Sequence, residues 1–100
     1  MKTFKIKNAK SGELIDAEQL ATFAGYVQNV QFRFVVTRLH SLGDVALTHR
    51  ASTMRVAVVT PSMIQAALGD YAAAGRLALD LLVQSKGAAR VAAALRAAED

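Results

Sequence analysis

The sequence of 100 residues contains no cysteine, no tryptophan and a single proline. Without cysteine the chain cannot form disulfides or thiolate metal sites. The side chains that remain for binding a transition metal are two histidines and eight carboxylates. The fold must therefore be stabilised by its own apolar core and hydrogen bonds.

Long apolar runs are also missing. No stretch reaches the ~18 uninterrupted apolar residues that a transmembrane helix needs. The first residues alternate lysine with apolar side chains, unlike the continuous apolar segment of a signal peptide. We therefore expect a cytoplasmic protein that does not contact membranes.

Apolar side chains nevertheless make up 53% of the sequence, and 20 of them are alanine. The larger apolar side chains suffice for one packed core, and a chain of this length is too short for two. Charged residues are too few for a disordered chain of high charge. We expect one α+β domain spanning residues 1–100.

The net charge of +4 is unevenly distributed. Residues 1–12 carry lysines and no acid, and residues 70–100 are balanced. The part between 19 and 69 carries one acid, Asp44, and four arginines, namely Arg33, Arg38, Arg50 and Arg55. This excess of positive charge favours an acidic or nucleic-acid partner.

Residue patterns predict the order β-α-β-β-β for the N-terminal part. Residues 2–7 alternate as an edge strand protected by lysines. Asp16 as cap and Gln19 as its reciprocal partner predict a helix over residues 17–28. Asn29 then suits the left-handed residue that ends a helix.

From Val30 the apolar period changes to two, which predicts a strand over residues 30–39. Phe32 and Phe34 share the apolar face of this strand, so Arg33 is expected on the opposite, exposed face. The alternative is that the preceding helix continues. A turn at 41–44 and strands near 45–48 and 54–58 complete an antiparallel meander, in which Arg55 is also expected to be exposed.

The rest of the chain is predicted to be helical. Thr60 as cap and Pro61 at the first helical position mark its start. Glycines provide the candidate breaks, at Gly69, Gly75 and Gly87. The predicted helices cover residues 61–68, 71–84 and 88–98 and pack on a small antiparallel sheet.

The middle helix is expected to be buried on every side except a polar line formed by Arg76, Asp80 and Gln84. Its apolar residues Tyr71, Leu77, Leu81 and Leu82 are interpreted as core, with a partner-binding face as the alternative.

Catalytic and metal-binding motifs have little support. His40, Asp44 and His49 offer the ligand types of a two-histidine, one-carboxylate site, but their spacing matches no metal motif. Ser41 or Ser52 could supply the serine of a Ser-His-Asp triad, but no part of the sequence resembles a nucleophile elbow. No glycine-rich phosphate loop is present. We expect no cofactor, no metal and no enzymatic activity.

The run from Phe32 to Val35 resembles the F-x-F-V part of the RNA-recognition-motif signature, in which exposed aromatic rings stack on bases. Val30 and Gln31 stand where that signature has a basic residue and glycine. Because the two phenylalanines share a face with other apolar residues, core packing is the better interpretation.

By elimination, we expect a non-catalytic binding protein, an adaptor or inhibitor that docks on a larger protein or a ribonucleoprotein complex through a basic surface. The predicted partner-binding residues are Arg33, Arg38, Arg50 and Arg55. The alternatives are direct DNA or RNA binding, expected to be weak and salt-sensitive, and, less favoured, an unrecognised small enzyme. A homodimer is a further alternative.

Overall fold

The computed structural model describes residues 2–8, 10–39 and 43–99. In these residues five strands precede three helices, namely β1 Thr3–Lys7, β2 Leu14–Val27, β3 Val30–Arg38, β4 Val45–His49, β5 Arg55–Val59, α1 Pro61–Ala66, α2 Tyr71–Lys86 and α3 Ala88–Glu99. The strands pair in chain order, each antiparallel to the next. The α+β class and the antiparallel meander are confirmed, but the predicted β-α-β-β-β order is wrong.

Residues 17–27 of the predicted helix over residues 17–28 belong to strand β2 instead, and Gln28 lies in the turn that follows it. The pairing register of β2 shifts between Gln19 and Ala21, which marks a β-bulge. Beyond the bulge, residues of the opposite parity lie on a given face of the sheet. The apolar residues therefore lose their alternation and imitate the spacing of a helix.

Asp16, the predicted helix cap, and the neighbouring acid Glu18 form cross-strand ion pairs instead. Asp16 accepts a hydrogen bond from Lys5 Nζ at 2.7 Å, and the two residues are register partners. Glu18 Oε1 accepts from Nε and Nη2 of its register partner Arg38, at 3.1 and 3.0 Å. The carboxylate of Asp16, which is also a good helix cap, thus pairs with a cation across the strands.

Residues 30–38 form a strand, which excludes the helical alternative. Phe32 and Phe34 are buried in the core and Arg33 is exposed, as expected. Gln28 and Asn29, before this strand, have φ of 51° and 63°. Asn29 is therefore left-handed as predicted, but it forms a two-residue hairpin turn rather than a helix terminus.

The sheet is curled, and both of its faces carry buried residues. The helices cover one face, which carries the main core. On the other face Val35, Thr37 and Thr48 are also buried, and the two threonine hydroxyls are 3.0 Å apart in a hydrogen bond. The Lys7 N–H donates to the Thr53 carbonyl at 2.9 Å, so β1 closes against the turn before β5.

The three helices begin close to their predicted positions. Thr60 Oγ1 accepts from the Met63 N–H at 3.2 Å, and the Asp70 carboxylate accepts from the Ala73 N–H at 3.1 Å. The predicted breaks at Gly69 and Gly87 are confirmed, with φ of 81° and 90°. Side-chain oxygens and glycines thus delimit the helices as the sequence indicates.

Helix α2 is less buried than predicted, and it runs unbroken through the candidate break at Gly75, as the predicted segment 71–84 does. The buried face of α2 consists of Ala74, Gly75, Ala78 and Leu79. Leu81 is 50% exposed and Leu77 38%. Gly75 lies inside this continuous helix. Its missing side chain allows α2 to approach the sheet closely at this position.

Two parts of the predicted scheme, His40 and the first half of the turn at 41–44, lie outside the described residues. In the part of the chain that the structure describes, no helix combines the length and apolarity needed to cross a membrane.

Candidate functional site

The structure separates the four arginines of the predicted basic surface. Arg33 and Arg50 are neighbours on adjacent strands, because the Arg50 N–H donates to the Arg33 carbonyl at 2.9 Å. Arg55 is exposed, as expected, at the start of β5. Arg38 is the last residue of β3, five residues beyond Arg33. Only Arg33 and Arg50 therefore share a site.

Arg38 already has an acidic partner within the chain. Its guanidinium donates twice to Glu18 Oε1, and both side chains are partly buried. The hydrogen bond to Glu18 raises the pKa of Arg38 above its already high ordinary value, so the pair stays charged wherever the carboxylate is ionised. Arg38 is therefore not part of the candidate site.

A hollow of about 440 Å³ borders Arg33 and Arg50, and Gln31, Ala51 and Glu99 complete its lining. Beside it, Gln31 Nε2 donates to the hydroxyl of Tyr26, its register partner, at 3.4 Å. Tyr26 is 68% exposed. The Arg33–Arg50 surface is defined here as Tyr26, Gln31, Arg33, Arg50 and Ala51.

Glu99 lines the same hollow, but neither guanidinium group of this surface lies within 4.0 Å of a carboxylate among residues 2–8, 10–39 and 43–99. Ion pairs within 4.0 Å in that part join Lys5 to Asp16 and Arg38 to Glu18, and the Glu99 carboxylate contacts His49. Like charges on neighbouring strands destabilise a sheet, by about 0.2–1 kcal/mol for directly opposed residues. An anionic partner would relieve this repulsion.

Next to this surface, His49 is fully buried, with 0% of its surface exposed. Its Nδ1 lies 2.8 Å from Ser52 Oγ and its Nε2 lies 2.9 Å from Glu99 Oε1. In the neutral ring, Nε2–H donates to the carboxylate and Nδ1 accepts from the serine hydroxyl. Ser52 Oγ in turn accepts from the Met54 N–H at 3.3 Å.

A serine, a histidine and a carboxylate in a line are also the parts of a hydrolytic triad. Here the imidazole is buried and the serine oxygen is occupied on both sides, by His49 and by the Met54 N–H. These hydrogen bonds connect α3 to the turn after β4, and they satisfy both nitrogens of the buried imidazole. This arrangement suits a structural role. The same bonds commit the two nitrogens of His49 within the chain.

The sequence did not predict the hydrogen bond between His49 and Glu99, because the two residues are 50 positions apart and no local pattern links them. For the metal hypothesis, His40 falls outside the described residues. Among those that are described, no group of three or more histidine and carboxylate side chains is placed to hold a metal ion.

The fold defines a class: a curled five-stranded meander followed by three helices that cover one face. Comparison of the chain with protein-family models, curated proteins and solved structures gave no significant match.

Proposed function

We propose that this protein is a non-catalytic binding protein, an adaptor or inhibitor, that docks on an acidic surface of a larger protein through the Arg33–Arg50 surface. The observation that supports this proposal is the exposed pair of arginines on neighbouring strands, without a carboxylate of a described residue within 4.0 Å. Two like charges on neighbouring strands do not stabilise the fold, so their presence favours a role in binding.

The chemistry of the surface suits protein recognition. Guanidinium groups bind carboxylates through two parallel hydrogen bonds, and arginine and tyrosine are enriched among the residues that dominate binding energy. Arg33 lies on a central strand, and Arg50 directly follows another. Because their backbones are fixed, binding loses little additional backbone entropy.

Direct nucleic-acid binding is less favoured by the same geometry. Two arginines neutralise few phosphates, so any such binding would weaken steeply with salt. Phe32 and Phe34, the aromatic residues of the sheet signature, are buried and unavailable for stacking on bases. The Arg33–Arg50 surface retains one exposed aromatic ring, Tyr26.

The double variant Arg33→Glu/Arg50→Glu tests the proposal. Tagged wild-type and variant proteins are incubated with lysate of the native host, and the captured proteins are compared by mass spectrometry. For a partner that the wild type captures, we expect the variant to bind roughly 100-fold more weakly, on the scale of charge reversals at interfaces. The melting temperature should stay within a few degrees, because both side chains are exposed.

The matched control is Arg90→Glu/Arg96→Glu, which makes the same charge change at exposed positions of α3. It should capture the same partner as the wild type. A folded Arg33→Glu/Arg50→Glu variant that binds this partner with unchanged affinity refutes the proposal. Titration of labelled DNA and RNA at two salt concentrations tests the alternative of direct nucleic-acid binding. Tight binding that survives physiological salt and requires Arg33 and Arg50 would assign the surface to nucleic acid.

A further inference from the structure

A second cavity of about 440 Å³ lies where the curled sheet closes, between β1, β2, the end of β3 and the start of β5. Its apolar walls are formed by Ile6, Ile15, Leu39 and Met54. Its volume falls within the range of about 300–1,000 Å³ that is typical of small-molecule sites. None of its lining residues belongs to the Arg33–Arg50 surface.

Three basic residues line this cavity, and none of its described lining residues is acidic. Lys7, Lys10 and Arg55 are exposed and take part in none of the ion pairs that join described residues. Lys5, on the same strand as Lys7, is paired with Asp16. Of the two lysines in β1, Lys7 lines the cavity and has no carboxylate of a described residue within 4.0 Å.

The walls combine a fixed side with an adaptable one. Ile6 is buried, and the hydrogen bond from the Lys7 N–H to the Thr53 carbonyl holds β1 against the turn before β5. Met54 is 45% exposed, although its side chain is apolar. Methionine adapts to irregular apolar ligands, and covering it would remove apolar surface from water.

We propose that this cavity binds an amphiphilic anion, which is an apolar chain or ring that carries a carboxylate or phosphate. The apolar body contacts the isoleucines, Leu39 and Met54, and the anionic end group lies among Lys7, Lys10 and Arg55. The site goes beyond the proposed docking function and does not depend on it. It also gives Arg55 a role apart from Arg33 and Arg50.

The probes are four small molecules titrated by calorimetry and by ¹⁵N-¹H correlation spectra, each below its micelle concentration. Decanoate and decyl phosphate carry both parts of the proposed ligand. Decanol lacks the charge, and acetate lacks the apolar chain. We expect saturable binding of one decanoate or one decyl phosphate, with the largest shifts at Ile6, Ile15 and Leu39, and at least tenfold weaker binding of decanol and acetate. A preference between the two anions identifies the end group.

The variant Lys7→Glu/Arg55→Glu reverses two of the cavity charges at exposed positions. We expect it to bind decanoate at least tenfold more weakly while its decanol binding is unchanged. The matched control is Lys86→Glu/Arg90→Glu, at a smaller hollow of about 280 Å³ that Val56, Leu82 and Leu95 also line. This control, and Arg33→Glu/Arg50→Glu, should bind decanoate as the wild type does.

Absence of saturable binding by both anions overturns the proposal. So does loss of decanoate binding in the Lys86→Glu/Arg90→Glu control alone, because the ligand would then occupy the hollow between the helices and β5. Neither result affects the docking proposal, whose test depends on Arg33 and Arg50.

Discussion

At the scale of single residues, two glycines decide how closely the helices approach the sheet. A Cβ atom at Gly25 would lie 2.8 Å from Leu79 Cδ2 of α2. A Cβ atom at Gly75 would lie 2.7 Å from both Phe23 Cε1 and Val36 Cγ2. Such distances are shorter than van der Waals contact, so an added methyl group would force the two layers apart.

Gly75→Ala should therefore lower the free energy of unfolding by about 1–3 kcal/mol, the usual cost of overpacking a core. The direction is opposite to that of an exposed helix position, where alanine is favoured over glycine by about 1 kcal/mol. Urea denaturation followed by circular dichroism measures the change.

The control for this substitution is Ser85→Ala, at an exposed position of the same helix. It should change the free energy of unfolding by no more than about 0.5 kcal/mol. If Gly75→Ala proved as stable as the wild type or more so, the close contact of α2 with Phe23 and Val36 would be wrong.

At the scale of secondary structure elements, β2 shows why a local pattern was misleading. Capping residues and apolar spacing predict a helix from 17 to 28, but neither reports pairing with residues farther along the chain. Each end of β2 has a different partner, β1 over residues 14–18 and β3 over residues 18–27. By contrast, Val30–Arg38 alternates without a bulge, so its strand was predictable.

The β2–β3 hairpin depends on two residues with positive φ, Gln28 at 51° and Asn29 at 63°. A two-residue loop of this kind favours Asn-Gly. Gln28→Asn/Asn29→Gly should therefore raise the free energy of unfolding by about 1 kcal/mol, which is the order of the cost of a left-handed conformation for an ordinary residue. Thermal and urea denaturation measure the gain.

The opposite change, Asn29→Val, should lower the free energy of unfolding by about 1–2 kcal/mol, because a β-branched residue is disfavoured at positive φ. If both variants matched the wild type, residues 28 and 29 would not form this hairpin turn, and β2 would have to end differently.

At the scale of the whole molecule, the curl of the sheet shields part of the face that the helices leave uncovered. Ala17, Val35, Ala46 and Thr48 lie on that face and are nearly inaccessible to water. In a flat sheet covered on one side only, these positions would be exposed. Closure of β1 against the turn at Thr53 therefore determines both the second buried layer and the cavity beside it.

Hydrogen exchange of two β1 amides measures this closure. The Lys7 N–H donates to the Thr53 carbonyl, and in an antiparallel strand the N–H groups two residues apart point to the same side. The Lys5 N–H therefore points away from β2 as well, without that partner. We expect the Lys7 amide to exchange on the order of 100-fold more slowly than the Lys5 amide.

The comparison is internal, because both amides lie on one edge strand and are read from the same spectra. Equal, fast exchange of the Lys5 and Lys7 amides would show that β1 does not close against Thr53, and that the cavity beside it is wider than described.

The sequence by itself determined the features that depend on neighbours along the chain. The alternation from Val30 placed Phe32 and Phe34 in the core and Arg33 at the surface, and Thr60, Pro61, Gly69 and Gly87 delimited the helices. Each of these follows from backbone conformation or from a hydrogen bond within a few residues.

Only the tertiary structure decided which distant residues meet. It paired Arg38 with Glu18 and left Arg33 beside Arg50, and it joined His49 to Glu99 across 50 residues. The bulge in β2 and the closure of the curl depend on strand register, which is fixed by packing across the whole sheet. A charge count gives no register, so the basic residues could be found in the sequence but not their arrangement.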